Sequence, residues 1–124
     1  MDVRNLDEVP SFITKDGSEI RELLAHRNSV IRQQSLAEAR VPVGTMTESH
    51  CHPRTEEIYY ILEGRDRMIL DGQERVVGPG DAIAIPPQAI HQIENIGDVA
   101  LRFLCCCAPG YEHDDTVLTN PPAS

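Results

Sequence analysis

Two histidines two residues apart, followed closely by acidic residues, are the first feature of this chain that could do chemistry. They lie in the run from Gly44 to Gly64, as His50, His52, Glu56 and Glu57. On a β-strand, residues i and i+2 point to the same face, so His50 and His52 project together. Pro53 cannot donate to a strand ladder and ends that strand. Residues 53–56 then form a connection, and Glu57 opens the next strand beside the two imidazoles. Two imidazoles and one carboxylate converging in this way are the beginnings of a divalent-metal site. A second run, Gly80 to Asn95, carries His91 at the start of a strand just after Pro86-Pro87. Alone, a histidine near an apolar strand is ordinarily structural; beside the first run, His91 becomes a candidate fourth ligand.

These side chains need a scaffold of short strands, and the chain reads as one. From about residue 25, apolar runs alternate with turn residues, and we expect strands near 29–41, 45–52, 57–62, 66–71, 74–77, 82–85, 90–95 and 100–107. Asp71-Gly72 is the strongest hairpin signal, because a two-residue type I′ turn wants positive φ at both positions. Evenly spaced short strands with Gly and Pro turns predict an all-β sandwich or barrel. The chain divides into an N-terminal extension 1–24, a β-barrel domain 25–110 and a polar tail 111–124 expected to be loosely held. Residues 18–24 fit a short helix or an edge strand.

The two runs together resemble the two sequence motifs of the cupin superfamily. Gly44, His50, His52, Glu57 and Gly64 fit the first, G-x5-H-x-H-x3/4-E-x6-G. Gly80, Pro86, His91 and Asn95 fit the second, G-x5-P-x-G-x2-H-x3-N, with Gln88 standing where that pattern has Gly. Only residues 65–79 separate the motifs, which resembles small single-domain cupins. The resemblance implies a double-stranded β-helix, or jelly roll. It also implies one divalent metal bound by His50, His52, Glu57 and His91, with Glu56 as the rival carboxylate; the six residues to Gly64 favour Glu57. Mn, Fe, Ni, Zn and Co all suit such ligands. Three neutral imidazoles and one carboxylate leave a divalent ion one net positive charge and open positions for substrate or water.

Other candidates follow from strand parity. Glu48 shares a strand face with His50 if alternation holds, and Tyr59 shares one with Glu57; both are weak candidates for acid–base work. Arg32 would hold a substrate carboxylate if its strand face is inward. Cys51, between the two histidines, should point away from them. In the last strand, the costly burial of Arg102 is avoided if Leu101, Phe103, Cys105 and Cys107 face inward.

Composition narrows the partners. The 124 residues hold 11 Lys and Arg against 20 Asp and Glu, a formal net charge of −9. Phosphate-backbone binding needs a basic face, so nucleic acid and anionic membrane are not expected partners. No apolar run approaches the ~20 residues of a membrane helix. The first eight residues lack the apolar region of a secretory leader. The four cysteines form no C-x-x-C pair and read as reduced thiols. A cytoplasmic location is expected. In Ile58-Tyr59-Tyr60-Ile61-Leu62 both alternating sets are apolar, so one face needs a cover, and we expect a homodimer. The leading functional expectation is a mononuclear metalloenzyme, of dioxygenase or Lewis-acid isomerase/lyase type, acting on a small polar molecule. The alternative is a non-catalytic, metal-dependent binder of a small ligand.

Overall fold

The computed structural model describes residues 1–119. Two antiparallel sheets face each other across an apolar core. The first contains β1 (Phe12–Ile13), β2 (Glu19–Leu24), β3 (Ser35–Val41), β5 (Glu56–Glu63), β8 (Ala82–Ile85) and β10 (Leu101–Ala108), in the order β1-β2-β3-β10-β5-β8. The second contains β4 (His50–Cys51), β6 (Asp66–Leu70), β7 (Gln73–Val77), β9 (His91–Asn95) and β11 (Val117–Leu118), in the order β11-β4-β9-β6-β7. This is the all-β class that the strand spacing predicts, in the jelly-roll form that the cupin resemblance implies. No helix among the described residues is long and apolar enough to cross a membrane.

Period-two patterning sets the core. In β10, Leu101, Phe103, Cys105 and Cys107 are buried while Arg102 and Leu104 stand outside, the parity that keeps the guanidinium out of the interior. In β5, Glu57, Tyr59 and Ile61 point inward and Ile58, Tyr60 and Leu62 outward. Phe103, Ile61, Ile93 and Leu101 are among the largest fully buried side chains, each worth roughly 1.5–3 kcal/mol of apolar transfer. On the outer face of the first sheet, Arg102 Nη2 donates to Glu38 Oε2 at 2.6 Å and Arg40 Nε to Glu38 Oε1 at 2.6 Å.

Turn chemistry explains most boundaries. Asp71 and Gly72 both have positive φ and close the β6–β7 hairpin in two residues. Gly64, with φ +98°, lies so close to β10 that an added Cβ would meet the Leu101 Cα at 3.1 Å, which accounts for glycine there.

Three expectations need correction. Residues 29–34 do not extend β3. Asn28 Oδ1 accepts from the Ala25 amide at 2.9 Å and Ser29 Oγ donates to the Ala25 carbonyl at 2.7 Å, and these side chains hold a turn in place of a ladder. Residues 45–49 do not form a strand either. Met46 makes one isolated bridge to Glu94, and the Thr47 hydroxyl accepts the Ile93 amide at 3.0 Å. The tail is not loose over 111–119: Asp115 and Thr116 are buried, and β11 pairs with β4. The rest of the expected tail, 120–124, lies outside the described residues. The segment 18–24 settles as a strand, β2, paired with β3.

Candidate metal centre

The ladder between β4 and β9 sets His50 directly opposite His91, and their ring centroids are 4.1 Å apart. His52 follows His50 by two residues and its ring lies 5.1 Å from that of His50 and 5.5 Å from that of His91. One nitrogen from each of the three falls within 4.8 Å of the others, and all three residues are buried. From the facing sheet, Glu57 Oε1 stands 3.3 Å from His52 Nε2 and 3.6 Å from His91 Nε2. Glu56 is exposed; the inward parity of β5 belongs to Glu57.

Backbone carbonyls fix two of the rings. His50 Nδ1 donates to the Glu48 carbonyl at 2.8 Å and His91 Nδ1 to the Ala89 carbonyl at 3.0 Å. A neutral imidazole that donates through Nδ1 keeps its lone pair on Nε2, here the nitrogen turned toward the cluster. The Thr116 hydroxyl stands 3.3 Å from His52 Nδ1. The turn before β9 holds a second anchor, since the Gln88 amide donates to the His52 carbonyl at 2.8 Å. Gln88 has φ +70°, so the residue replacing the motif's glycine still adopts the glycine-favouring conformation.

The electrostatics suit a cation. Burial opposes charge on Glu57, but the imidazoles of His52 and His91 outweigh it and lower the carboxyl to about 2. Burial and the neighbouring His91 push His50 below its usual value. Glu57 Oε1 and His91 Nε2 are buried and have no hydrogen-bond partner among the described residues. Such orphaned acceptors are costly unless something electropositive lies between them. The residues fit a metal: three imidazoles cluster with one nitrogen each in common reach, an ionised carboxylate stands beside two of them, and Nδ1 of His50 and of His91 is held by a backbone carbonyl.

A pocket opens beside this cluster. Its walls include Phe12, Ile20, Ala37, Ala39 and Phe103, with Tyr59, Tyr111 and Thr116 nearer the histidines. It encloses about 40 Å³, where about 10–15 Å³ accommodates one water. Among the described residues, no Lys or Arg lines it.

The remaining candidates separate cleanly. Tyr59 lines the pocket, its ring 4.5 Å from Phe103 and 5.9 Å from His91. Glu48 has an exposed side chain, because the expected alternation before His50 is absent; its main chain is what supports His50. Arg32 is exposed and its Nη1 donates to the carbonyls of Ser29 and Ile31. It lies in the irregular connection before β3 and does not line the pocket. Cys51 pairs with Val117 in the ladder and lies outside the pocket lining. Cys105 and Cys107 do line the pocket, and Cys107 Sγ donates to Glu57 Oε2 at 3.3 Å. Burial pushes both thiols up.

Four residues at the site went unnoticed in the sequence: Asp16, Ser18, Tyr111 and Thr116. Asp16 and Ser18 are separated from His50 by more than 30 residues and arrive through the β1–β2 turn. Tyr111 and Thr116 come from the tail. None stands in a patterned run, so only the sheet order brings them in.

Comparison with known proteins agrees with this architecture. The sequence profile of the cupin domain matches residues 37–107. An uncharacterised protein of Methanocaldococcus jannaschii, MJ1618, is 56% identical over 110 residues, covering 89% of this chain and 88% of that protein. The structure described as a predicted oxalate decarboxylase from Thermotoga maritima is 26% identical, with a TM-score of 0.76, covering 87% of this chain and 99% of that one. The polyketide cyclase RemF from Streptomyces resistomycificus shares the fold, with a TM-score of 0.82 at 24% identity, covering 98% of this chain and 87% of that one. With both sequence motifs, two facing sheets and a buried three-histidine cluster, this chain belongs to the cupin family.

Proposed function

We propose that the protein is a mononuclear metalloenzyme, holding one divalent transition metal on His50, His52, Glu57 and His91 and acting on a small, polar, uncharged molecule. The observation that carries this reading is a buried cluster of three imidazoles with the carboxylate of Glu57 beside His52 and His91, its Oε1 without a hydrogen-bond partner among the described residues. When bound, Mn, Fe, Ni, Zn or Co would supply a Lewis acid for a carbonyl or hydroxyl group, and iron would add redox chemistry with dioxygen.

The chain's own groups favour Lewis-acid proton transfer, the isomerase or lyase type, over oxygen activation. Burial holds the Tyr59 and Tyr111 phenols above their usual range, so both remain protonated and can donate. The Tyr111 hydroxyl is buried without a partner among the described residues, and a substrate oxygen would satisfy it. Phe12, Ile20 and Phe103 exclude water from the substrate's apolar body. A pocket lined by Asp16, Glu22 and Glu57, with no Lys or Arg among the described lining residues, disfavours phosphorylated and multiply anionic substrates. The oxalate named in the Thermotoga relative's description is therefore a less fitting substrate here than a neutral carbonyl or hydroxyl compound.

A homodimer is part of the same reading. Ile58, Tyr60 and Leu62 on the outer face of β5 are 50%, 41% and 36% exposed, an apolar stripe beside the Glu38–Arg40–Arg102 cluster that a second copy would cover. Static light scattering should give twice the chain mass at micromolar concentration; a monomer mass would overturn this. The four free cysteines suit a reducing compartment, which supports a cytoplasmic location.

The reaction class is tested by incubating metal-loaded protein in deuterium oxide with a panel of diketones, hydroxyketones and neutral sugars. Metal-dependent deuterium incorporation without oxygen uptake is expected. Oxygen consumption would establish the dioxygenase reading instead. Ligand-dependent thermal shifts without exchange or turnover would leave a binding protein.

A further inference from the structure

The turn between β1 and β2 reaches the metal cluster. It is closed by the Thr14 amide donating to the Ser18 carbonyl at 3.1 Å and the Gly17 amide to the Thr14 carbonyl at 3.0 Å. It is also tied down from two sides. The Glu48 amide donates to the Asp16 carbonyl at 2.7 Å, just before His50. Lys15 Nζ donates to the Thr116 carbonyl at 3.0 Å, beside His52. The turn is therefore fastened to the segment that carries His50 and His52 and to Thr116, whose hydroxyl stands 3.3 Å from His52 Nδ1.

Its side chain of consequence is Asp16. Oδ1 accepts three hydrogen bonds, from Thr14 Oγ1 at 2.6 Å, the Ser18 amide at 2.9 Å and Ser18 Oγ at 2.6 Å. Three donors saturate that oxygen, which has about two lone-pair sites, and they fix the rotamer. Oδ2 is left pointing at His50 Nε2, 3.5 Å away, and the side chain is only 12% exposed. Since His50 Nδ1 donates to the Glu48 carbonyl, Nε2 of the neutral ring carries a lone pair. An anionic oxygen and a nitrogen lone pair thus face each other at 3.5 Å, an arrangement that repels unless a cation lies within reach of both.

We propose that Asp16 is a further ligand of this metal centre, an oxygen donor brought in from the N-terminal turn beside His50. The inference rests on the metal-binding reading above. Glu57 approaches the histidines from β5 of the facing sheet, beside His52 and His91; Asp16 approaches beside His50. Two carboxylates and three neutral imidazoles balance the charge of a divalent ion. The site then has no net positive charge with which to attract an anion, and a substrate enters by displacing Asp16 or by bonding to its Oδ2.

The test is Co(II) binding to the purified chain, read by the visible ligand-field spectrum and by chelator competition. Wild type is compared with Asp16→Asn and with Asp98→Asn, which removes an exposed carboxylate and controls for long-range charge. Asp16→Asn should weaken Co(II) affinity at least tenfold and change the band positions and intensities that report coordination number, while Asp98→Asn changes neither. Wild-type hydrogen exchange guards against a folding defect in the variant: amides 14–18 should exchange more slowly once Co(II) is bound. Equal affinity and identical spectra for both variants, with no added protection of residues 14–18, would overturn the proposal and leave Asp16 a turn residue sharing a proton with His50. Failure of wild type itself to take up Co(II) would overturn the metal reading, and this inference with it.

Discussion

The Cys107 thiol donates to Glu57 Oε2 at 3.3 Å, across the β5–β10 ladder in which the two residues are direct partners. Glu57 thereby has one oxygen held by sulfur and the other, Oε1, turned to His52 and His91. Hydrogen bonds of this kind orient a ligand and typically govern 10–100-fold in metal affinity. Cys107→Ser keeps a donor of similar size and should retain the metal with wild-type affinity. Cys107→Ala should weaken it about tenfold. Chelator titration of the two variants decides this; equal affinity would reduce Cys107 to a packing residue.

Asp66 is fully buried at the other end of the inward face, and neither carboxylate oxygen has a partner among the described residues. Its cross-strand partner Asn95 commits its amide to the carbonyls of Val41 and Val99. Burial, with the nearby Asp81 charge, lifts the Asp66 carboxyl to about 7. An unfolded aspartate titrates near 3.9. Between these values the folded chain holds a proton that the unfolded chain has released, so stability falls as pH rises through that window and levels off above it. Thermal melts of wild type and Asp66→Asn, compared from pH 4 to 8, should diverge in favour of the variant. We expect on the order of 1–2 kcal/mol, allowing for residual hydration. A difference that stays constant with pH would contradict the assignment.

Gln88 holds φ +70° where the second motif has glycine, and its amide supports the His52 carbonyl. A left-handed conformation costs a residue with a side chain about 1–2 kcal/mol, partly offset by glycine's greater freedom in the unfolded chain. Gln88→Gly should therefore raise stability by about 0.5 kcal/mol, whereas Gln88→Val should lower it by at least 1 kcal/mol. Denaturant unfolding of both variants checks the order; a more stable valine variant would contradict it.

How much of the site was legible in the sequence depends on chain distance. His50 and His52 share a face because strands alternate, and Glu57 follows within one connection, so pattern alone groups them. His91 needed the second motif, since nothing local ties it to His50; the pairing of β4 with β9 does that. The all-β architecture was legible in its turns, Asp71-Gly72 above all, and the jelly roll in the resemblance of the two motifs. Strand lengths failed where side chains replace backbone partners, as Thr47 does for β9 and Asn28 and Ser29 do before β3. Cys107 and Glu57 are 50 residues apart, Thr116 and His52 64, and such contacts follow from sheet order, which local periodicity does not encode. Arg32 misled for a related reason: its parity was read on a strand where the chain forms an irregular connection.

The central claim is that His50, His52, Glu57 and His91 hold one metal ion. Elemental analysis of freshly purified, untagged protein, beside His91→Ala, tests it most directly. One divalent transition metal per chain in wild type, and a large loss in the variant with the fold intact, is the predicted result. Wild-type protein that contains no metal and takes up none on addition of Mn(II), Fe(II), Co(II), Ni(II) or Zn(II) would contradict it.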